Sequence, residues 1–292
     1  MPKTPKNLAA SIRARLFNYA RAHVQPFELI LTRYALERLL YRLGRSGDAD
    51  RFVLKGAMLV MTWFEEPHRG TRDLDLLGFG DPNPEALIEL FTGVVAQPFE
   101  DGLVFDVAGL RADPIREETE YGGVRLRTRA SLDAAQIPIT IDVGFGDAIE
   151  PGAELIDYPV LLDQPAPRIR AYARETVVAE KFQAMVALGR ANSRMKDFYD
   201  VWVLSKTYAF EPARMASAIA ATFERRGTAL PTVAPDALTP GFAADAAKQA
   251  QWHAFAADLE LAPSDLNALV EDLEDFLMPH AHAARAQHGP RV

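Results

Sequence analysis

Apolar residues in the first part of the chain recur at helical spacing: Leu8, Ile12, Leu16 and Tyr19, then Leu29, Tyr34, Leu36, Leu39, Leu40 and Leu43, with arginines between them. This pattern predicts two helices, broken near Pro26 and stopped near Gly44. A short apolar run at residues 52–54 then predicts a strand, Lys55-Gly56 a corner, residues 57–64 an apolar helix, and DLDL a second strand. Residues 82–99 read as a helix entered through DPNP. Three strand candidates follow at 103–110, 124–132 and 137–147, and the tight connections, with Gly122-Gly123 between two of them, favour an antiparallel meander. From Arg168 the pattern turns helical, through TVVAEKFQAMVALGR, RMKDFYDVWVLSK and residues 210–226. A Pro-rich connection at 227–241 precedes two last helices at 243–259 and 264–277, the second entered by Ser264.

The alternation in DLDL matters most. Residues two apart on a strand share a face, so Asp73 and Asp75 point one way while Leu74 and Leu76 point to the core. Adjacent carboxylates repel unless a cation lies between them, and a divalent metal is the usual one. In front of them, Gly56 permits an abrupt turn from strand into helix. The first helical amides there, with the charge of Lys55, make a seat for phosphate. Metal pair and phosphate seat together fit a nucleoside triphosphate held as its magnesium complex. The competing reading is an exposed strand end and a plain turn.

Asp142 lies in the apolar strand ITIDVGF, where an unpaired charge is expensive. If that strand lies beside the one with Asp73 and Asp75, three carboxylates converge as a two-metal phosphoryl transfer site requires, one of them acting as base. On the preceding strand Arg125, Arg127 and Arg129 alternate with Leu126 and Thr128. Three guanidiniums on one face are either solvated or a grip for a polyanion. Lys181 sits on the apolar stripe of its helix, so it either snorkels or enters a pocket that needs charge. Asp197 and Asp200, one turn apart, are either dipole partners at a helix start or carboxylates that position such a lysine.

Composition narrows the class. The chain has 292 residues, a net charge of −8 and no cysteine, which excludes disulfides and thiolate zinc sites and fits a reducing cytoplasm. The N-terminal residues lack the apolar core of a secretion signal, and no apolar run reaches membrane-spanning length. Charge is uneven: residues 1–45 hold nine Lys or Arg against Glu28 and Glu37. A local basic groove is therefore compatible with the acidic total. His280 and His282 fall in an expected disordered tail.

The ordered motifs carry a family resemblance. Lys-Gly followed by a helix, then RGTRDLDL, a strand with a lone Asp, AEKFQAMVALGR and MKDFYDVW resemble the AbiEii/MenT nucleotidyltransferase toxins of type IV toxin-antitoxin systems, within the DNA polymerase beta-like superfamily. The resemblance covers roughly residues 45–205. It implies an α+β fold: a mixed-sheet core flanked by helices, with a helical C-terminal subdomain. The expected division is 1–50, basic helices; 51–165, core; 166–292, helical region. It further implies magnesium at Asp73 and Asp75 with Asp142 matched by context, and a phosphate motif at Lys55, Gly56 and Ala57, where Ala57 lacks the hydroxyl that Ser brings. Lys181 matches the family's helical lysine, and Asp197 and Asp200 its final acidic motif. The implied activity is transfer of NMP from an NTP to an RNA acceptor such as a tRNA 3′ end, releasing pyrophosphate, with an antitoxin encoded elsewhere. A small-molecule acceptor and a catalytically silent binding module are the alternatives.

Overall fold

The computed structural model describes residues 7–64, 70–115, 122–257, 259, 261–263 and 265–287. They form two compact units. One holds residues up to Gly146 together with Glu154–Ala171; the other holds Asp147–Ala153 and the chain from Tyr172 onward. The N-terminal helices thus belong to the sheet-bearing unit, and the helical unit takes up a short segment that precedes the last two strands.

In the first unit, α1 (Leu8–Ala22) starts at Asn7, whose side chain accepts from the Ala10 amide at 3.0 Å. It buries Ile12, Leu16 and Ala20, one residue per turn. Next, α2 (Phe27–Arg45) buries Leu36, Leu39, Leu40 and Leu43 completely. Each such leucine contributes roughly 1.5–3 kcal/mol. Then come β1 (Phe52–Lys55), the short α3 (Gly56–Val60), β2 (Asp73–Gly78), α4 (Pro84–Val95), β3 (Leu103–Phe105), β4 (Arg111–Ile115), β5 (Gly123–Leu132), β6 (Ala135–Phe145), β7 (Glu154–Asp157) and β8 (Arg168–Ala171).

The strands make a mixed eight-stranded sheet in the order β3-β5-β6-β2-β1-β8-β7, with β4 also on β5. The β2–β6 and β1–β8 pairs are parallel and the others antiparallel. The expected meander is the β5–β6 hairpin, turned at Asp133 with φ 53, a conformation that Asp tolerates. Leu74, Leu76, Leu126, Ile141 and Val143 form one buried face, and α2 contacts β6 and β8. Arg42 clamps the buried Asp101 through two hydrogen bonds of 2.5 and 3.2 Å, while the Tyr34 hydroxyl donates to the Asp101 carbonyl at 2.8 Å. A buried charge persists only with such full satisfaction.

Several elements differ from expectation. The strand expected over 103–110 ends at Phe105, and the chain turns into β4, whose Pro114 and charged residues hid it. The helix expected over 57–64 has only five α-helical residues before a 3₁₀ turn, Met61–Trp63. The segment from Arg168 opens with β8 rather than a helix.

The second unit contains α5 (Arg174–Leu188), α6 (Met195–Thr207), α7 (Pro212–Arg225), the short α8 (Pro240–Ala243), α9 (Ala246–Ala256) and α10 (Leu266–Gln287). Its core brings α7 against α5 and α10. Arg226 reaches Asp147 at 2.9 Å, Glu180 at 3.2 Å and Gln183 Oε1 at 3.0 Å, tying the 147–153 segment to α5. The expected tail is helical: α10 continues through Pro279, burying Ala281 and Ala284, and His282 Nε2 lies 3.2 Å from the Thr232 carbonyl oxygen. The expected cap Ser264 lies outside the described residues. No helix among the described residues is long and apolar enough to cross a membrane.

Candidate active site

The strand carrying Asp142 lies beside the one carrying Asp73 and Asp75. Because β2 and β6 are parallel and in register, Asp75 stands opposite Asp142, and Asp73 opposite Thr140. Neighbouring strands are about 4.8 Å apart, so the two carboxylates start from adjacent backbones on the same face. Register extends the row: Lys55 stands opposite Asp75 on β1, Arg125 opposite Asp142 on β5, and Asp113 opposite Arg125 on β4. One level of the sheet thus reads Lys55, Asp75, Asp142, Arg125, Asp113, two carboxylates at the centre with a cation on each side.

Gly56 fixes the near end of this row. Its φ is +70°, and a Cβ placed there would lie 2.0 Å from Asp75 Oδ2. The glycine is thus required twice, by backbone conformation and by the carboxylate pressed against it. Ala57 lies within α3 and is half-buried. With only five residues, α3 has a weak dipole, so the positive charge at this corner is mainly that of Lys55.

Asp142 departs from expectation. Its two oxygens accept from Arg125 Nε at 2.7 Å and Nη2 at 2.6 Å. The Arg125 pKa lies well above its ordinary value, chiefly through this hydrogen bond; burial opposes the rise, and the charges of Asp142, Asp73 and Asp75 add to it. Among the described residues no three acidic or imidazole groups gather closely enough to hold a metal. The three carboxylates thus share a face, and the guanidinium of Arg125 holds the third. The arginine row is altered by the same pairing. Arg127 is ion-paired with Asp113, which leaves Arg129 as the exposed guanidinium of the three without a carboxylate partner among the described residues.

Lys181, Asp197 and Asp200 form a cluster in the helical unit. Lys181 Nζ lies 2.7 Å from Asp197 Oδ1 and 3.0 Å from Asp200 Oδ2, and Arg194 Nε lies 2.6 Å from Asp197 Oδ2. The two carboxylates are almost wholly buried, their side chains 1% and 3% exposed, and that of the lysine is 12% exposed. Lys181 therefore points inward to carboxylates rather than snorkelling. Arg194 stands out in the sequence only as one of the cations between Arg168 and Lys196; its pairing with Asp197 was not anticipated, although its position three before Asp197 was a usable signal. A groove of about 460 Å³ in the sheet unit, lined by Tyr41, Arg45, Asp50, Arg168 and Arg170 among others, shares no residue with the acidic row.

A mixed sheet flanked by helices, with carboxylates on adjacent central strands and a Lys-Gly corner beside them, is the arrangement of a nucleotidyltransferase. The family model for the AbiEii nucleotidyltransferase toxin of type IV toxin-antitoxin systems matches residues 38–279, and the chain belongs to that family. The family implies NMP transfer from a nucleotide substrate and an antitoxin partner, and its members generally use a divalent metal. Two solved structures from Helicobacter pylori are similar, JHP933 and a chain described as a putative nucleotidyltransferase. Each has 16% identity and a TM-score of 0.48 over 88% of this chain, covering 94% and 96% of their own lengths. No curated protein matches the sequence.

Proposed function

We propose that the chain is a magnesium-dependent toxin that transfers NMP from an NTP to an RNA acceptor, a tRNA 3′ end, with pyrophosphate leaving. The observation that carries this reading is the row across the sheet, where Asp75 and Asp142 face the same side on adjacent parallel strands with Lys55 and Arg125 flanking them. The donor set fits a hard cation: Asp73 and Asp75 offer carboxylate oxygens on one face, and hard oxygen donors select magnesium over zinc or copper. Bound there, the ion would neutralise charge on the phosphates and lower the pKa of the attacking hydroxyl.

The chain's own groups supply the rest. Lys55 and the backbone at Gly56 hold phosphate oxygens, the Lys55 charge serving the triphosphate in place of the hydroxyl that Ala57 lacks. Within the helical unit, Asp197 and Asp200 fix the position of Lys181, the residue that matches the family's helical lysine. Asp142 takes the proton of the acceptor hydroxyl. The hydroxyl oxygen bonds to the α-phosphorus, the bond from that phosphorus to the bridging oxygen breaks, and pyrophosphate carries away the electron pair. Arg129 contributes a phosphate contact for RNA.

Incubation with each α-labelled NTP, total RNA and magnesium tests the proposal. The expected result is label in tRNA, lost with a chelator. Label confined to small molecules would replace the acceptor, and no label with any NTP would refute the activity.

A further inference from the structure

Asp142 is the carboxylate best placed to join Asp75, yet both its oxygens are spent on Arg125. We propose that Arg125 and Asp142 are an exchange pair: Arg125 withholds Asp142 from the cation-binding carboxylates until a triphosphate takes over its guanidinium, so that cation and nucleotide load together. This rests on the nucleotidyltransferase reading above and assigns Arg125 to the nucleotide site rather than to the RNA path.

Four observations carry it. First, the register puts Arg125 opposite Asp142 and Asp142 opposite Asp75, so Asp142 stands between a cation and a carboxylate at the same level of the sheet. A small rotation of its side chain suffices to change partner. Second, the pair is open: its side chains are 38% and 19% exposed, against 2% and 1% for the Arg42–Asp101 pair that clamps the core. An arriving ligand can reach the first pair and cannot reach the second. Third, the carboxylate opposite Arg125 on β4, Asp113, is engaged by Arg127. Leaving Asp142 therefore requires a new anion for Arg125, and a phosphate accepts the guanidinium fork in the same bidentate manner. Fourth, Asp73 and Asp75 lie within electrostatic reach of Arg125. A cation entering between them repels the guanidinium and favours its departure.

The exchange predicts opposite effects of one substitution on two simple ligands. In Arg125→Gln, Asp142 is released, so Mn²⁺ alone, titrated by electron paramagnetic resonance, binds roughly five- to tenfold tighter than to wild type, the size of one partly exposed bidentate pair. Metal-free inorganic tripolyphosphate binds the same variant weaker by a similar factor. Arg125→Lys keeps the charge without the fork and falls between. In Asp142→Asn the Arg125→Gln gain in Mn²⁺ affinity disappears, which separates release of Asp142 from mere removal of a nearby positive charge. Unchanged or weaker Mn²⁺ binding in Arg125→Gln overturns the exchange, as does a gain that persists undiminished with Asp142→Asn. Asp73→Asn/Asp75→Asn is the separate control: Mn²⁺ binding that survives it refutes the metal site itself rather than the exchange.

Discussion

Replacing Gly56 with alanine tests the corner of the site most sharply. The position has φ +70°, where an L side chain costs about 1–2 kcal/mol. The new Cβ would also stand 2.0 Å from Asp75 Oδ2 and 2.7 Å from its Cβ, whereas ordinary contact begins at 3.4 Å. The carboxylate must therefore retreat by about 1.4 Å, and displacements of this size in a reacting constellation cost ~100-fold in rate. Strain and displacement together amount to about 2–4 kcal/mol, a fall of roughly 5–15 °C in the melting of the sheet unit. Thermal unfolding by circular dichroism and transfer of label from an α-labelled NTP are the paired assays. Gly47→Ala is the control, since nothing lies within 4 Å of a Cβ there; it should leave both readings close to wild type. A Gly56→Ala protein that melts with wild type and transfers normally would refute the argument that Asp75 and Gly56 are built against each other.

Asp73→Ala and Asp75→Ala should each abolish transfer and Mn²⁺ binding with melting preserved; wild-type activity in either would remove it from the site. Lys181→Ala should lower melting of the helical unit by the equivalent of about 3 kcal/mol, because Asp197 and Asp200 lose a buried partner. Adding Asp200→Asn should restore melting but not transfer, and an unchanged melt for the single variant would show that the cluster carries no stability. Burial pushes the Glu37 pKa up to about 7 against the partial relief of the Leu161 amide and nearby Arg38 and Arg33. The folded state thus holds a proton that the unfolded state has lost, so stability is greatest below the ordinary value near 4.5 and falls by about 3 kcal/mol as pH rises through 7. Glu37→Gln should flatten that slope in denaturant titrations at pH 5.5 and 8; an unaltered slope would refute the assignment.

The sequence displayed the faces of its elements better than the number of its strands. DLDL announced its own two faces, and Leu74 and Leu76 are fully buried as that alternation demands. The spacing of AEKFQAMVALGR placed Lys181 on the inner side of α5, and the one-turn spacing of Asp197 and Asp200 on the next helix offered them as carboxylates that position it. The last two strands were hardest to see: ELID and RIRA are four residues each and mix charge with apolar positions, too short for a period to show. Pro279 concealed the end of α10, where buried Ala281 and Ala284 keep the helix docked beyond it. The Arg125–Asp142 pair was invisible in principle. Both residues stood out, but only the β5–β6 register decides that they meet, and register follows from the hairpin turn at Asp133, not from either residue.

The parallel pairing of β2 with β6 also bears on the order in which the sheet is completed. Asp73 and Asp75 leave the ribosome long before Asp142, and β1 waits for β8 until residue 171 has been added. Such distant pairings bear the entropy of closing a long loop before any contact repays it. Translation therefore yields the carboxylates of β2 before the strand that pairs with them, and a glycine corner before its full sheet. The strand order thus delays closure of the central sheet until residue 171 has been made.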